Sequence, residues 1–477
     1  MNAELSRELA DFGRRVRKLS SAGDTLRGFF NAGEDVMLAR APGRLDVMGG
    51  IADYSGSLVL ELPIREGAFA AAQRSADGVV RVASLSPDGS PPRELTLRAE
   101  ALSGGYVAAR AAFSSTAEEA WGAYVAGVLA ALVERGAELA GARLLVASSV
   151  PEGKGVASSA AVSVASLAAA SAAFGVKLDP VELALACQNV ENLVAGAPSG
   201  VMDPMTTALG REGKLLELLC QPALVRGHVD VPAGMRFFGI DSGLRHAVSG
   251  ADYGLVRVAA FMGYRILAEC EGLTCARAGA RVTVVDPLFG GYLANVPREL
   301  ALRHREALPE RLLGAEFLAR YGGTTDAVTT VDPAATYPVR AAALHPVHEH
   351  ERVRAFAAAL PHANDATALE TLGELMQGSH ASYSACGLGS DGTDLLVELV
   401  RTSAPGDGLY GAKITGGGSG GTVAVLAAAG AEPSVRRVAA EYEKRTGRAS
   451  YVFAGSSPGA AELGTHRLRP SGVVVPI

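Results

Sequence analysis

The sequence predicts an α+β protein built from two mixed halves, and three observations support this prediction. The chain has 477 residues, a length that corresponds to two to four domains at roughly 100–200 residues each. Short apolar runs bounded by Gly-rich turns alternate with stretches of helical periodicity, so strands and helices are interspersed along the chain. The pattern changes between residues 215 and 230, which places the natural division of the chain there.

Composition excludes several classes of protein. Apolar residues make up 48% and charged residues 20% of the chain, which excludes the low hydrophobicity of disordered proteins. There are 44 basic and 50 acidic residues, so no basic surplus is present to neutralise a nucleic-acid backbone. The five cysteines are odd in number and form no CxxC pair, so neither a disulfide framework nor a zinc site is expected. We predict a protein of the reducing cytoplasm with no nucleic-acid partner.

No segment of the chain has the pattern of a membrane anchor or of a secretion signal. The first 20 residues carry charges throughout and lack an apolar core, unlike a secretory signal. The most apolar stretch, residues 160–176, is rich in Ala and Ser and shorter than the roughly 20 apolar residues of a spanning helix. A buried helix is the better interpretation, and no membrane partner is expected.

The N-terminal half begins with an amphipathic helix over residues 4–20, where apolar side chains recur at steps of three and four. Residues 36–72 alternate short apolar runs with Gly-rich turns, which predicts strands joined by functional loops. Helical stretches are predicted at 118–135 and 158–174, with the strand ARLLVASSV between them. Residues 181–210 are predicted to be helical, interrupted by a loop at AGAPSG.

The C-terminal half continues the mixed pattern. The segment RFFGIDSG predicts a strand, and residues 250–270 predict a helix. Residues 275–345 are rich in Pro, Gly and Arg, with turns at FGGY and YGGTTD, and their role is left open by the sequence. Residues 346–385 and 390–402 predict helices. The three histidines of HPVHEHERVR have uneven spacing and charged neighbours, so a solvated helix start is favoured over a metal site.

The middle of three Gly-rich loops runs from Pro151 to Ala160, between a strand and a long helix. Gly153 and Gly155 lack side chains, so their backbone N–H groups can approach a ligand closely. The helix starts directly after this loop, and a helix N-terminus attracts anions. The loop therefore has the properties of a phosphate site, although it lacks the Walker pattern. The alternative is a plain Gly turn with serine N-caps.

The other two loops flank this one in sequence. In the third loop, Lys413–Thr422, five of six consecutive positions are glycine, which is costly in chain entropy and indicates close approach to a ligand or to another backbone segment. The first loop, residues 41–56, places Arg44, Asp46 and Asp53 among Gly-rich turns. Taken alone, these side chains could equally form a structural ion pair and a turn cap.

The three loops resemble, in order and spacing, those of the galactokinase, homoserine kinase, mevalonate kinase and phosphomevalonate kinase superfamily, the GHMP kinases. The first loop, GRLDVMGGIADYSG, resembles the galactokinase signature G-R-x-N-x-I-G-E-H-x-D-Y-x-G. The stretch ENLVAGAPSGVMD, residues 191–203, resembles the galactokinase segment with the Mg²⁺ ligand and the catalytic Asp. The segments WGAYVAGV and DSGLRH are also similar to that family, and the resemblance extends over about residues 25–455.

This resemblance implies a particular architecture. The GHMP kinase fold has two α+β domains with the active site in the cleft between them. We therefore expect residues 1–220 to form an N-terminal domain of the ribosomal protein S5-like α/β type, and residues 221–477 to form a ferredoxin-like α+β C-terminal domain. The oligomeric state is left open.

The resemblance also implies a reaction, the transfer of the ATP γ-phosphoryl group to the anomeric C1 hydroxyl of a sugar. Asp203 matches the family's catalytic aspartate, which accepts or orients the hydroxyl proton. Arg44 matches the arginine beside it, whose fixed charge lowers the hydroxyl pKa and stabilises the transferring phosphoryl group. An ion pair that only joins two loops is the structural alternative for these two residues.

The positions that match nucleotide and metal contacts lie in the second and third loops and in the 191–203 stretch. Ser159 and Glu191 match the ligands of Mg²⁺, an ion that prefers oxygen donors and keeps several waters. The expected ATP-binding positions are Gly153, Lys154, Gly155, Ala157, Ser158, Ser159, Gly417 and Gly418. For Lys154, contact with the phosphates and exposure to solvent both remain open, and solvent is favoured slightly.

Asp53, Gly200 and Tyr253 match positions that contact the sugar. Gly50 and Ile51 stand where galactokinases carry Glu-His, side chains that help to hold the C6 end of the hexose. L-Arabinose matches D-galactose around C1–C4 and lacks C6, so a pocket without these polar groups and with Ile51 in that space suits the pentose. Gly50 and Ile51 are therefore expected to be substrate-binding positions. The first loop and the later SYSACGLGSDGTD also resemble the kinase half of plant L-arabinokinases. The alternatives are a galactokinase, another sugar 1-kinase, and a non-catalytic sensor of sugar and ATP.

Overall fold

Helices and strands alternate along the chain, as the periodicity predicts. The structure is a computed structural model that describes residues 3–21, 26–113, 120–244, 251–279, 281–363 and 365–477. The helices are α1 (Ala3–Ser21), α2 (Gly105–Phe113), α3 (Gly122–Val133), α4 (Ser158–Phe174), α5 (Pro180–Asn189), α6 (Met202–Leu209), α7 (Ala251–Cys270), α8 (Arg298–Arg303), α9 (Gly314–Tyr321), α10 (Val339–Ala359), α11 (Ala366–Ala385), α12 (Asp391–Arg401), α13 (Glu432–Thr446) and α14 (Ala460–Leu463). The strands are β1 (Val36–Met48), β2 (Leu58–Arg74), β3 (Val79–Leu85), β4 (Arg93–Arg98), β5 (Ala142–Ser148), β6 (Lys214–Leu219), β7 (Leu224–Asp230), β8 (Met235–Asp241), β9 (Thr274–Ala278), β10 (Arg281–Val285), β11 (Leu312–Leu313), β12 (Thr336–Tyr337), β13 (Leu409–Ile414), β14 (Thr422–Ala428), β15 (Val452–Phe453), β16 (His466–Leu468) and β17 (Val474–Pro476).

The first sheet is built around the long hairpin of β1 and β2. Its strand order is β17-β16-β1-β2-β5-β3-β4, and β6 pairs with the first part of β2 and then with β7. All neighbours are antiparallel except β3 and β5. The apolar residues of α3, α4 and α5 form the main core with this sheet, whereas α1 packs its apolar stripe against the opposite face. The sheet is therefore covered by helices on both faces, and β1 and β2 lie in its middle.

The second sheet is smaller and antiparallel, in the order β13-β14-β8-β15. One face packs against α12 and α13. A further apolar cluster is formed by α7, α10 and α11 together with side chains of the intervening segment, including Phe289 and Phe317. The segment 275–345, where the sequence indicated only turns, contains the hairpin β9–β10 and two short helices, and it packs into this cluster of α7, α10 and α11.

The proposed domain boundary at residue 220 lies between β6 and β7, two strands that pair with each other in the first sheet. Near the C-terminus, β16 pairs with β1, and β17 pairs with β16. Strands from both proposed domains therefore share the first sheet. Within the described ranges, no helix is long and apolar enough to cross a membrane.

Candidate active site

Arg44 and Asp46 lie inside β1, so their predicted position among flexible turns is wrong. They are 2% and 0% exposed, because β1 is in the middle of the first sheet and is covered by helices. Asp46 pairs in register with Glu61 on β2. A central strand holds its side chains in fixed directions, so these charged groups are rigidly placed. Such placement suits a site that must orient reacting groups.

The guanidinium of Arg44 points at Asp203, the residue in the first turn of α6. Arg44 Nε and Nη2 donate to Asp203 Oδ1 over 2.9 and 2.7 Å, and Nη1 donates to the carbonyl of Gly155 over 2.6 Å. The side chain of Asp203 is 21% exposed, and no hydrogen bond within the described part of the chain ends on its Oδ2. Arg44 thus connects the 151–160 loop to a carboxylate that remains accessible.

Glu61 is a second carboxylate beside Arg44, and no motif in the sequence indicated it. Its Oε2 lies 3.2 Å from Arg44 Nε, and the side chain is fully buried. Burial raises the pKa of Glu61 well above its usual value, and Asp46 raises it further, while Arg44 opposes the shift. For Arg44, burial lowers the pKa, but Asp203 and Glu61 raise it and the net shift is upward. Arg44 therefore keeps its positive charge at any physiological pH.

Asp46 is compensated by Lys413, which begins the third loop. Lys413 Nζ lies 2.7 Å from Asp46 Oδ2, and both side chains are fully buried. The hydroxyl of Tyr383, on α11, is 3.1 Å from the same carboxylate oxygen and 3.0 Å from the carbonyl of Gly416. The Asp46 backbone N–H donates to Thr415 Oγ1 over 2.7 Å. The first and third loops are therefore joined by a buried polar network.

The 151–160 loop ends at an uncapped helix N-terminus. Gly153 and Gly155 have φ values of 71° and 70°, in the left-handed region that favours glycine. The N-cap of α4 is Ala157, with φ 60°, and no side chain caps the first turn, so serine N-capping is wrong here. The first N–H groups of a helix lacking a side-chain cap are available to an anion. Ser158 and Ser159, both half-buried, form that first turn.

The glycines of the third loop allow two backbone segments to meet. A Cβ on Gly416 would lie 2.5 Å from the carbonyl oxygen of Gly155, and one on Gly421 would lie 2.7 Å from that of Lys154. A Cβ on Gly418 would lie 2.7 Å from the Leu388 carbonyl. Close approach to another backbone segment, one of the two predicted reasons for this loop, is therefore confirmed. Gly417 is half-buried in the same turn.

Lys154 does not point into solvent, so the interpretation that the sequence slightly favoured for this residue is wrong. Its ammonium group lies 3.0 Å from Asp241 Oδ2 and donates to the carbonyl of Leu244 over 3.3 Å. Its side chain is 13% exposed. Lys154 thereby joins the second loop to the end of β8. The neighbouring Arg245 and His246 of the DSGLRH segment lie outside the described residues.

Glu191 lies in a π-helical turn, Val190–Ala195, that continues α5. The side chain is 3% exposed, and its Oε1 is buried without a hydrogen-bond partner in the described residues. Burial raises the pKa of Glu191 to about 7, while the hydroxyls of Ser199 and Ser159 lower it. An unpaired buried carboxylate oxygen next to a serine hydroxyl offers the hard oxygen donors that Mg²⁺ prefers. Glu191 and Ser159 therefore fit a magnesium ion held jointly with ATP phosphates.

In the described part of the chain, no larger metal site accompanies Glu191 and Ser159. Over the described ranges, no group of three or more His, Cys, Asp or Glu side chains is arranged to hold a metal. His345 is buried inside α10, and its Nε2 lies 3.0 Å from the carbonyl of Gly50. The prediction of a solvated helix start for these histidines is therefore wrong, because all three lie inside α10, with His345 buried and His348 and His350 half-buried. The His345 ring fixes the turn that follows β1.

Asp53, Gly200 and Tyr253 lie near one another in the structure. A Cβ on Gly200 would lie 1.7 Å from Asp53 Oδ2, so only glycine allows this carboxylate to sit there. Asp53 Oδ1 is buried without a partner in the described part of the chain. Burial raises the pKa of Asp53 to about 6, and Asp203 adds to the shift. The Asp53 carboxylate in turn contributes to a raised pKa of Tyr253, behind burial. An acceptor of this kind suits a hydroxyl-bearing ligand.

Gly50 and Ile51 form a closed corner. A Cβ on Gly50 would lie 1.8 Å from Tyr383 Oη and 2.1 Å from Asp46 Oδ2. Ile51 has φ 51° and is fully buried in the apolar cluster of α7, α10 and α11. A β-branched residue with positive φ is a strained outlier. Tyr383 belongs to the SYSACGLGSDGTD motif, whose contact with this corner the sequence did not reveal.

Comparison with known proteins identifies the relationship that this geometry suggests. Residues 123–211 match the family described as GHMP kinases N terminal domain. The galactokinase of Streptomyces coelicolor is 31% identical over 448 residues, covering 93% of this chain and 98% of that galactokinase. The chain belongs to the GHMP kinase family.

Other relatives add detail to this assignment. The L-arabinokinase of Arabidopsis thaliana is 42% identical to this GHMP kinase over 518 residues, covering 96% of the chain. The chain spans about half, 48%, of that relative's length. The crystal structure of Lactococcus lactis galactokinase complexed with galactose has a TM-score of 0.71 at 20% identity, covering 91% of this chain and 97% of that one. The Lactococcus lactis structure confirms the two-domain α+β fold. The Streptomyces coelicolor and Arabidopsis thaliana relatives place the enzyme with sugar kinases of the galactokinase and L-arabinokinase type.

Proposed function

We propose that this GHMP kinase transfers the γ-phosphoryl group of ATP to the anomeric hydroxyl of L-arabinose, giving L-arabinose 1-phosphate and ADP. The observation that carries the reaction type is the double hydrogen bond from Arg44 to Asp203 Oδ1 beside an uncapped helix N-terminus. The choice of sugar is supported by the 42% identity to an L-arabinokinase over 96% of the chain. In this proposal both parts of the chain, 1–220 and 221–477, contribute to the site.

Asp203 is the proton acceptor in this reaction. Its Oδ1 is occupied by Arg44, so Oδ2 accepts the proton from the C1 hydroxyl as the oxygen attacks the γ-phosphorus. Arg44 also contacts the Gly155 carbonyl, so its charge lies between the attacking group and the phosphate loop. A permanent cation in this position stabilises the alkoxide that forms at the C1 oxygen and compensates the negative charge of the transferring phosphoryl group.

ATP binds with its phosphates at the start of α4, where the backbone N–H groups of the 151–160 loop donate to the phosphate oxygens. The third loop supports this segment through the contact of Gly416 with Gly155. Glu191 and Ser159 hold Mg²⁺, which when bound neutralises part of the phosphate charge. The protein's contribution is the orientation of these oxygens by the π-helical turn and by the first turn of α4.

The sugar lies beside Asp53 and Tyr253. The unpaired Oδ1 of Asp53 accepts a hydroxyl hydrogen bond, which compensates the burial of this carboxylate. The corner at Gly50 is filled by Tyr383 and Asp46, so no side chain from that position reaches toward a sixth carbon. A pentose needs no such contact, which favours L-arabinose over D-galactose.

A galactokinase activity is the second candidate, because the Streptomyces coelicolor relative matches nearly its whole length. An ADP-release assay with L-arabinose and D-galactose separates the two. We expect a kcat/KM at least about tenfold higher for L-arabinose, since the filled corner at Gly50 offers neither space nor a partner to the additional hydroxymethyl group of D-galactose. Higher kcat/KM for D-galactose would replace the first proposal with the second. Absence of turnover with tight binding of ATP and sugar would indicate a sensor.

The role of Asp203 is tested by Asp203→Asn, which keeps the shape and removes the base. We expect kcat to fall by about 10²–10⁴-fold, the usual contribution of a general base, while binding of the sugar measured by calorimetry persists. Asp391→Asn, at an exposed carboxylate also in the first turn of a helix, is the matched control and should leave kcat unchanged. Activity of Asp203→Asn within a few-fold of the native enzyme would contradict the assignment.

A further inference from the structure

Arg257 and Asp326 form a buried ion pair that the proposed reaction does not use. Arg257 lies on α7 and is 5% exposed, and Asp326, which ends the YGGTTD turn, is 3% exposed. Arg257 Nε and Nη2 donate to the two Asp326 carboxylate oxygens over 2.8 Å each. A bidentate arginine–carboxylate pair is geometrically specific. A segment of the 275–345 region, whose role the sequence left open, is therefore fixed to α7.

The same guanidinium holds the loop that precedes Asp203. Arg257 Nη1 donates to the carbonyl of Pro198 over 3.1 Å and to that of Ser199 over 3.2 Å. This loop, residues 196–201, joins the π-helical turn that carries Glu191 to α6 and contains Gly200, against which the Asp53 carboxylate packs. The Arg257 side chain thus fixes the position of the loop against which the Asp53 carboxylate packs.

Arg257 also contacts the short helical turn, Asp53–Ser55, that carries Asp53. The Arg257 guanidinium lies 5.4 Å from the ring centre of Tyr54, the residue that directly follows Asp53, and 5.7 Å from the ring centre of Phe261. Its charge lowers the pKa of Asp53, against burial and Asp203, which raise it. None of the hydrogen bonds of Arg257 in the described part of the chain goes to the 151–160 loop or to the 413–422 loop. Its direct contacts therefore lie with the loop that contains Gly200 and with the residue that follows Asp53.

Asp326 is itself held firmly. It accepts hydrogen bonds from Thr329 Oγ1 over 2.6 Å and from the Val328 backbone N–H over 3.1 Å. Both oxygens are thus engaged by the local turn as well as by Arg257. The carboxylate serves as a rigid support, and the pair transmits the position of the 321–329 turn to the Pro198–Ser199 carbonyls.

We propose that Arg257 and Asp326 are positioning residues for the sugar side of the active site, and that the 275–345 region supports that side through Asp326. This inference rests on the proposed function, because that function assigns the sugar to Asp53. The arrangement acts on sugar affinity and leaves the phosphate-binding loops undisturbed.

The experiment compares the native enzyme with Asp326→Asn and Arg257→Lys, using L-arabinose and D-galactose in turn and measuring KM for the sugar, KM for ATP and kcat. Neither variant can keep both the bidentate pair and the two carbonyl bonds. Displacing a substrate-positioning group by about 1 Å can cost an enzyme up to about 100-fold in efficiency. We therefore expect KM for the preferred sugar to rise about 10- to 100-fold. KM for ATP should stay within about twofold.

Glu269→Gln is the matched control. Glu269 lies on the same helix and pairs with Arg265 over 3.2 Å, away from the Pro198–Ser199 carbonyls, so both KM values should be unchanged. The double variant Arg257→Gln/Asp326→Asn separates positioning from folding. A neutral pair removes the unpaired buried charge, so its melting temperature should recover relative to Asp326→Asn. Its sugar KM should stay raised, because one glutamine amide cannot make all four contacts of Arg257.

Recovery of sugar KM in the neutral pair would show a merely structural role and overturn the inference. Equal rises of the ATP and sugar KM values, or sugar KM values within about twofold of the native enzyme in all variants, would also overturn it. Turnover of D-galactose in place of L-arabinose would change the proposed function and leave the positioning role intact. If neither sugar is turned over or bound, the proposed function and this assignment are both overturned.

Discussion

At the scale of single residues, the site concentrates buried carboxyl groups with raised pKa values. Burial raises the pKa of Asp53 to about 6 and that of Glu191 to about 7. A carboxyl group whose folded pKa is raised stabilises the fold below its unfolded pKa, and this contribution is lost as the pH rises through the folded value. The proposed roles need the ionised forms. The enzyme should therefore function above these pKa values, in the pH range where the ionised Asp53 and Glu191 destabilise the fold.

The pKa of Glu191 gives a prediction for metal dependence. Below about pH 7 a proton competes with Mg²⁺ for this carboxylate. The Mg²⁺ concentration for half-maximal activity should therefore be about tenfold higher at pH 6 than at pH 8, as expected for a group with a pKa near 7. Mg²⁺ titrations of the initial rate at several pH values measure this.

The control is Glu191→Gln, which cannot be protonated and leaves the titration of ATP itself unchanged. This variant should need more Mg²⁺ at every pH, with a smaller dependence on pH than the native enzyme. If the native enzyme and Glu191→Gln show the same Mg²⁺ requirement at pH 8, Glu191 is not a ligand.

At the scale of elements, the corner after β1 shows how the helices of the C-terminal half shape a loop of the N-terminal half. Tyr383 and His345, on α11 and α10, both bond to the β1 end or to the turn after it. The Nδ1 of His345 in turn lies 2.7 Å from Ser382 Oγ. These contacts leave no space for a side chain at Gly50, and they hold Ile51 at a positive φ.

Gly50→Ala should therefore destabilise the enzyme by overpacking. The added Cβ meets Tyr383 Oη and Asp46 Oδ2, and overpacking of this kind costs about 1–3 kcal/mol of unfolding free energy. Gly50 has no positive φ in this structure, so the cost arises from space alone. Urea denaturation measures it.

Gly234→Ala is the control, because Gly234 also lacks a positive φ and a Cβ there meets nothing within 4 Å. Its effect should stay within about 0.5 kcal/mol. Equal effects of the two substitutions would show that the corner relaxes freely.

At the scale of the whole molecule, the two sheets are joined by a buried ion pair. Lys413, on β13 of the second sheet, pairs with Asp46, on β1 of the first, and both are fully buried. The main apolar core also continues from the first sheet into Phe237 of β8 and Phe356 of α10. The relative placement of the two sheets therefore depends on shared interior contacts.

Lys413→Met should lower the free energy of unfolding by about 3–5 kcal/mol, because it leaves Asp46 as an uncompensated buried charge. Adding Asp46→Asn should recover most of this loss. Lys214→Met, at the exposed pair with Asp230, is the same substitution in solvent and should cost less than about 1 kcal/mol. A loss below 1 kcal/mol for Lys413→Met would show that the pair does not hold the sheets together.

Much of the fold was predictable from local patterns. The helix predicted at residues 158–174 is α4 with the same bounds, and the predicted strands between 36 and 72 are β1 and β2. Strands β6 and β7, at the pattern change, were missed because their exposure is mixed along the chain. The return of β16 to the first sheet was not visible, since pairing across more than 400 residues leaves no local signal.

The candidate site was partly predictable as well. Arg44, Asp203, Glu191 and Asp53 were identified from motifs, and the structure brings them into one cluster. Glu61 could have been found as a lone carboxylate in the apolar run SLVLELPI. The partners of Lys154, Arg257 and Tyr383 could not, because each contacts a residue from a distant part of the chain.

The order of the elements, the three Gly-rich loops and the types of chemical group available can all be predicted from the sequence alone. Those properties depend on neighbouring residues, whose spacing and conformational freedom are local. By contrast, which carboxylate meets Arg44, what closes the corner at Gly50, and where the 275–345 region reaches the site depend on the packing of the whole fold. Burial and long-range contacts set the pKa values and the available space, and both arise only when distant segments pack together.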